Sequence, residues 1–130
     1  MNTNRLIVVL ILFIAGCFSM ELSAQEALKA LVKKCENMGN VNLSIVRNKN
    51  KETKKVTQVI TGISFNNNEA LVKEILAAFN NDKDMADQEI EDRTNGRINS
   101  LFYSFGSTSY SFSVDENGNG SLSVIDKGVE

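Results

Sequence analysis

Residues 109–125, SYSFSVDENGNGSLSVI, carry the pattern that decides the fold of this chain. Large apolar side chains alternate with serines on both sides of the polar segment DENGNG at residues 115–120. Alternation with a period of two is typical of a strand with one buried and one exposed face. The two Asn-Gly steps favour a hairpin turn, because Asn and Gly tolerate positive φ. The stretch therefore predicts two antiparallel strands with a serine-lined outer face.

Three further segments alternate in a similar way and are separated by polar residues. They are residues 41–48, 55–65 and 98–105. The first two are joined by a basic turn at residues 49–54, which predicts a second hairpin. We therefore expect an antiparallel sheet of about five strands.

Three other segments repeat their apolar residues at helical spacing. They are residues 25–38, 69–79 and 82–93. The third is the weakest helix prediction, because only three of its residues are apolar and an Asn-Gly pair at residues 95–96 closes it. The order of elements is then α-β-β-α-α-β-β-β. This order is typical of an α+β fold in which helices pack on one face of the sheet and Ser, Thr and Asn line the other.

The amino-acid composition excludes several classes of function. The 130 residues contain no His, which rules out Ser/His/Asp and Cys/His catalytic sites and any metal site that needs imidazole. The chain has 14 basic and 16 acidic residues, so its net charge of −2 lacks the basic surface that nucleic acids require. We therefore expect one folded domain, no nucleic-acid partner, and no cofactor apart from the calcium alternative below.

The first residues have the form of a secretory signal peptide. A short segment ending in Arg5 precedes the unbroken apolar run LIVVLILFIAG at residues 6–16. The run is shorter than the roughly 20 apolar residues that span a bilayer, and small residues follow it, as in a cleaved export signal. We predict a signal peptide at residues 1–24 and a single α+β domain at residues 25–130, exported to the periplasm or secreted.

Two processing sites compete in this leader. Residues 22–24 (LSA) precede Gln25 as in an ordinary signal-peptidase site, which would release a soluble protein. Residues 14–17 (IAGC) resemble a lipobox, in which Cys17 would be lipidated and would hold the protein on the outer membrane. Membrane contact is expected only in the second case. After the first cut, Cys35 would be the one cysteine left, and we expect it to be a buried structural residue.

The turn between the last two predicted strands also matches a calcium-binding loop. Its oxygen ligands would be Asp115, Asn117, Asn119 and Asp126, with a glycine at the sixth position. Aspartate is shorter than the bidentate glutamate that usually closes such a loop, and both flanks have strand periodicity where a calcium loop has helices. A hairpin turn is therefore the simpler interpretation, and a weak calcium site is the alternative.

Two groups of side chains are candidates for a binding surface. The first is a basic cluster around the turn of the first hairpin, formed by Arg47, Lys49, Lys51, Lys54 and Lys55. It would suit an acidic partner or anionic lipid headgroups, or simply be solvated. The second is the row of serines on a C-terminal strand, formed by Ser109, Ser111 and Ser113. It would suit a protein or a polysaccharide, and the aromatic residues nearest to it in sequence are Phe102, Tyr103 and Tyr110.

Six carboxylates lie close together in the sequence and raise the possibility of hydrolysis. They are Asp82, Asp84, Asp87, Glu89, Glu91 and Asp92. Paired carboxylates carry out acid–base hydrolysis in glycosidases. A solvated helix face accounts for the same residues more simply, so a small carboxylate-dependent hydrolase is the alternative function.

Three parts of the chain resemble a family of small exported bacterial proteins of unknown function from gut anaerobes. They are residues 25–36 (QEALKALVKKCE), residues 50–56 (NKETKKV) and the Ser-, Tyr- and Phe-rich C-terminal half. The resemblance implies export and small size, and it supplies no site residues.

These features together predict an exported, non-enzymatic protein of the bacterial envelope that works as an interaction module. Its partner would be an envelope protein or, as a second choice, a glycan, bound at the serine row or the basic cluster. The hydrolase is the first alternative, and a calcium-stabilised module is the second.

Overall fold

The fold is built on one antiparallel sheet in the computed structural model, which describes residues 25–128. The elements in chain order are α1 (Glu26–Glu36), β1 (Asn42–Lys49), β2 (Val56–Phe65), α2 (Glu69–Asp82), a 3₁₀ turn (Lys83–Met85), β3 (Gln88–Thr94), β4 (Arg97–Phe105), β5 (Thr108–Val114) and β6 (Gly120–Lys127). The predicted α+β class is confirmed. The predicted signal peptide at residues 1–24, with both of its processing sites, lies outside the described residues. Within residues 25–128, neither helix has the length and apolar character needed to cross a membrane.

Four hairpins and one long-range pairing generate the sheet. Its spatial order is β1-β2-β6-β5-β4-β3, and every neighbouring pair is antiparallel. Strands β1 and β2 pair through a short turn, as do the consecutive strands from β3 to β6. Strand β6 then lies beside β2, with Gly120 opposite Phe65. This return joins the C-terminal hairpins to the N-terminal hairpin in one sheet.

One face of the sheet packs against the helices and forms the core. Alternate strand residues point into it, including Ile63, Phe112 and Leu122, which are adjacent in register and at most 1% exposed. Helix α2 adds Phe79, whose ring meets that of Tyr103 edge to face at a centroid distance of 5.0 Å. Burying a side chain of this size stabilises the fold by about 1.5–3 kcal/mol. The apolar stripe of each helix is therefore held against the sheet, as predicted.

The region between α2 and β4 differs from the prediction. Residues 82–93 do not form a helix, because they contain the 3₁₀ turn and the edge strand β3. The sheet therefore has six strands where about five are expected from the sequence, and the main elements follow the order α-β-β-α-β-β-β-β. The cause is the pair Asn95 and Gly96, whose φ angles of 53° and 79° form a tight turn between β3 and β4.

Helix α2 also runs further than predicted, through Asn80 and Asn81 to Asp82. The reason is a contact between the two helices. The side chain of Asp82 is only 3% exposed, and its carboxylate accepts the backbone N–H of Leu28 in the first turn of α1. The last turn of α2 and the first turn of α1 are therefore fixed to each other.

Candidate functional site

The face of the sheet opposite the helices is uncovered within the described residues and is lined mainly by serine. We call its central part the open face. It comprises nine residues of the adjacent strands β4, β5 and β6: Ser100, Phe102, Ser104, Ser109, Ser111, Ser113, Ser121, Ser123 and Ile125. Seven of the nine are serines, none carries a charge, and each is at least partly exposed. The open face is therefore neutral, polar and accessible.

Strand register places these side chains in straight rows across the sheet. Ser111 at the centre lies between Phe102 of β4 and Ser123 of β6. A neighbouring row consists of Ser100, Ser113 and Ser121. Because the serine side chain is short, these rows form a low surface whose hydroxyl groups can both donate and accept hydrogen bonds.

Apolar residues flank the serine rows on both sides. Phe102 pairs in register with Ile90 of β3, whose side chain is 46% exposed. On the other side, Ile125 pairs in register with Ile60 of β2. A ligand that covers the open face would therefore meet a hydroxyl-rich centre between an aromatic and an aliphatic patch.

The structure places the predicted serine row on this face and enlarges it. Ser109, Ser111 and Ser113 all point away from the helices. Strand β4 adds two serines that the prediction missed, although residues 100–105 show the same alternation. Of the nearby aromatic residues only Phe102 shares the open face, because Tyr103 and Tyr110 are buried on the other side of the sheet.

The basic cluster lies at the tip of the β1-β2 hairpin, at one edge of the sheet. Its exposed members are Arg47, Lys49, Lys51, Lys54 and Lys55. The turn is ordered by Asn50, whose side-chain oxygen accepts the backbone N–H groups of Glu52 at 2.9 Å and Thr53 at 3.1 Å. Strand β2 separates this tip from the open face, so the two candidate surfaces are distinct.

The predicted calcium loop has the hydrogen bonding of a hairpin turn. Asp115 Oδ2 accepts the side-chain amide of Asn119 at 2.8 Å, and Oδ1 accepts the backbone N–H groups of Asn119 at 3.0 Å and Asn117 at 2.8 Å. These bonds, the one from the Asn119 side chain first, lower the pKa of Asp115. The carboxylate of Asp115 is therefore already used within the turn.

The fourth predicted ligand, Asp126, lies apart from the other three. It is six residues beyond Gly120 along β6, which is about 20 Å at roughly 3.3 Å per strand residue. Its Oδ1 accepts the hydroxyl of Thr108 at 2.8 Å. In the part of the chain that the structure describes, no three His, Cys, Asp or Glu side chains form a group that could hold a metal ion.

The carboxylates between residues 82 and 92 are spread over the end of α2 (Asp82), the 3₁₀ turn (Asp84), the residue before β3 (Asp87) and β3 itself (Glu89, Glu91 and Asp92). Asp82 is buried between the helices. Alternation along β3 places Glu91 on the helix side of the sheet and Asp92 on the side of the open face. Glu91 Oε2 lies 2.6 Å from Arg93 Nε, and this hydrogen bond lowers the pKa of Glu91. Asp82, Glu91 and Asp92 therefore do not face one another across a cleft, as a glycosidase pair does.

Cys35 is buried in the core, as predicted. Its thiol is free and fully shielded from solvent. Burial raises the pKa of Cys35, and the nearby Glu74 raises it further, while Lys34 lowers it. A thiol in this environment is a poor nucleophile, because the thiolate is the reactive form.

The family model described as a domain of unknown function, DUF5024, matches residues 25–125. The match extends from the residue before α1 into β6 and includes the whole open face. No curated protein and no solved structure matches the chain. The comparisons therefore identify a family without supplying an activity.

Proposed function

We propose that this chain, which belongs to the DUF5024 family of domains of unknown function, is an exported, non-enzymatic module that binds another protein through its open face. The single observation that supports this proposal is the uncharged, exposed area across three strands. Charged side chains are concentrated away from this area, at the basic hairpin tip and along β3. The buried centres of protein interfaces are depleted of charged residues, because charged groups are costly to desolvate.

The chemistry of the open face favours binding over catalysis. Its polar groups are serine hydroxyls, which become nucleophiles only beside a base. The chain contains no His, and the carboxylate near this face, Asp92, accepts the hydroxyl of Ser100 at 3.0 Å while remaining exposed to solvent. A hydrogen bond to an exposed carboxylate orients a serine without activating it strongly. The hydrolase alternative therefore has less support than the binding module.

A glycan is the second candidate ligand, and one observation favours it. Phe102 lies on the open face with Ser100 and Ser104 on either side along β4. An aromatic ring bordered by hydroxyl groups offers both an apolar surface and hydrogen-bonding partners. Sugars need this combination, so the experiment below includes a glycan arm.

Export is part of the same proposal. The apolar run at residues 6–16 and the small residues before Gln25 support cleavage after Ala24. The position of Gln25 is compatible with that cut, since its side-chain oxygen accepts the hydroxyl of Tyr110 at 2.7 Å just before α1 begins. Lipidation at Cys17 is the alternative, and the intact mass of the native protein distinguishes the two forms.

The test uses a photo-crosslinking amino acid placed at single positions in the full chain, in the cells that produce it. Ser111 at the centre of the open face is the test position, and Ser107 in the exposed β4-β5 turn is the matched control. We expect a defined crosslinked protein from position 111 and not from position 107. Equal crosslinking from both positions, or none from position 111, contradicts the proposal.

A second arm separates protein from glycan partners. Purified full chain is titrated with envelope polysaccharide, and the F102A variant is compared with the S107A variant. Saturable binding that is lost in F102A and kept in S107A favours the glycan. No binding to polysaccharide, together with a protein crosslink at position 111, favours the protein partner.

A further inference from the structure

The two outer strands of the sheet carry opposite charge. Strand β1 ends in the basic cluster, and Arg47 and Lys49 belong to the strand itself. Strand β3 has the sequence QEIEDRT, with three carboxylates and one arginine. Among the described residues, no strand pairs with the outer edge of either. One edge of the sheet is therefore positive and the other negative.

The first five residues of strand β1, residues 42–46, carry no charge and no bulge. Arg47, Lys49 and the bulge between Asn48 and Lys49 all lie at its basic end. All eight of its residues are exposed, and the side chains of Leu43, Ile45 and Val46 are 42–49% exposed. The chain contains no proline, so no ring interrupts the row of backbone groups on this edge. A long edge strand with exposed apolar residues is a template for adding another strand.

The topology lets a second copy add to this edge while the two faces of the sheet keep their sides. The six strands alternate in direction, so the first and last in spatial order, β1 and β3, are antiparallel to each other. A copy displaced sideways by the width of the sheet, and rotated about that direction to follow the twist of the sheet, would place its β3 antiparallel to β1. Its helices and open face would then lie on the same sides as those of the first copy.

We propose that β1 of one copy pairs with β3 of the next, which continues the antiparallel sheet from molecule to molecule. The register that matches faces and charges sets Arg47 opposite Glu89 and Val46 opposite Ile90. The first pair lies on the helix side of the sheet and the second on the side of the open face. Opposite charges and paired apolar side chains directly across two strands both stabilise such a ladder.

The backbone N–H and C=O groups on the outer edges of β1 and β3 point in the directions that this register needs for hydrogen bonding. Thr57 C=O accepts the N–H of Gly128, which directs the backbone groups of Val59 toward β6 and those of Ile60 toward β1. Val46 lies opposite Ile60, so its groups point toward β2. The groups of Ile45 and Arg47 therefore point outward. The same alternation can be followed through the paired strands β6, β5, β4 and β3. It shows that the backbone N–H and C=O groups of Glu89 and Glu91 point away from β4, toward the free edge. The outward groups of the two edges can thus meet as hydrogen-bonded pairs.

Symmetric pairing of like edges fits the charges less well. Two β3 strands would bring Glu89 and Glu91 of one copy toward the same carboxylates of the other, and like charges across a ladder are destabilising. Two β1 strands centred on Ile45 would set Arg47 opposite Leu43. The basic edge would then have no acidic partner, and the acidic edge would stay unpaired. Only the β1-to-β3 arrangement uses both edges. This contact is heterologous, because it joins two different edges of the molecule. It can therefore continue from copy to copy into a filament, along which the open face is repeated.

Cysteine crosslinking tests the contact directly. The V46C and I90C variants are prepared separately in the full chain carrying C17S, mixed, and oxidised. Positions 46 and 90 would form a pair without direct backbone hydrogen bonds, where the Cα atoms are about 4.5 Å apart and a disulfide fits. We expect the mixed disulfide to dominate. A disulfide between two V46C chains, or none at all, overturns the proposal, and mixing V46C with K73C on exposed α2 gives the background level.

Charge exchange tests the same contact by a second route. R47E or E89R alone should weaken association at least about tenfold in sedimentation, because each sets like charges opposite one another. The double variant R47E/E89R restores opposite charges and should recover most of the association. Parent-like association of both single variants, no recovery in the double variant, or a parent chain that stays monomeric at its highest soluble concentration overturns the proposal. Both positions are exposed, so circular dichroism should show an unchanged fold.

Discussion

The carboxylate of Asp82, at the end of α2, binds the backbone of Leu28, in the first turn of α1. Oδ2 accepts the Leu28 N–H at 2.8 Å, and Oδ1 accepts the Ala27 N–H at 3.4 Å. The N-cap residue Gln25 makes no side-chain cap of its own. A residue 54 positions away in sequence therefore caps α1.

Removing this cap should destabilise the whole domain. D82A leaves the first N–H groups of α1 unpaired in a buried place, and we expect a loss of about 1–3 kcal/mol in the free energy of unfolding. The matched control is D84A, since Asp84 is exposed in the 3₁₀ turn. Urea unfolding measures both, and equal stability of the two variants would show that the cap contributes nothing.

Gly120 should not tolerate a side chain. A Cβ at this position would lie 2.5 Å from Phe65 Cζ and 3.0 Å from Phe112 Cε1, so both rings would have to move. We expect G120A to cost about 1–3 kcal/mol, the usual range for an overpacked core. G39A is the control, because a Cβ at Gly39 meets nothing within 4 Å. Thermal unfolding that shows no difference between the two variants would contradict the packing described for β6.

Stability should fall at alkaline pH because of two buried tyrosines. Burial raises the pKa of Tyr110 and of Tyr103 above the ordinary value of 10.0, and neighbouring carboxylates raise both further. The folded state then favours the neutral phenols, so their contribution is fully present below pH 10 and is lost as the pH rises toward the folded pKa.

The unfolding temperature measured between pH 8 and about pH 12 tests this expectation. Y110F removes the titrating group, so the decline should be shallower than in the parent chain, although the hydrogen bond to Gln25 is also lost. A parent chain whose unfolding temperature stays constant over this range would show that neither phenol titrates on unfolding.

Calcium should leave the unfolding temperature unchanged. Asp115 is engaged within its turn, and Asp126 lies at the far end of β6, so the four predicted ligands do not surround one point. Thermal unfolding with millimolar calcium, compared with magnesium and with chelator, provides the measurement. A calcium-specific rise in unfolding temperature that D115N abolishes would support the alternative of a calcium-stabilised module.

Local patterns predict the strands of the C-terminal half well. Residues 109–114 are predicted and Thr108–Val114 is observed, because alternation and Asn-Gly turns depend on neighbouring residues alone. The Asn-Gly pair at residues 95–96 is the same kind of turn, but it is assigned to the end of a predicted helix at residues 82–93, and that helix prediction is wrong. Strand β3 contains one apolar residue, Ile90, so its own pattern does not distinguish strand from helix. The choice depends on pairing with β4, which places Ile90 beside Phe102.

The alternation in residues 109–125 was enough to show that one side of these strands is buried and the other carries serine. It could not show that Ser100, Ser111 and Ser123 form one neutral surface, or that a basic and an acidic strand are the two edges of the same sheet. The first depends on the register of the β4-β5 and β5-β6 pairs, and the second on the pairing of β6 with β2. That pairing is selected by burial of Phe65, Phe112 and Leu122 in a shared core, and packing between distant segments leaves no periodic signal along the chain.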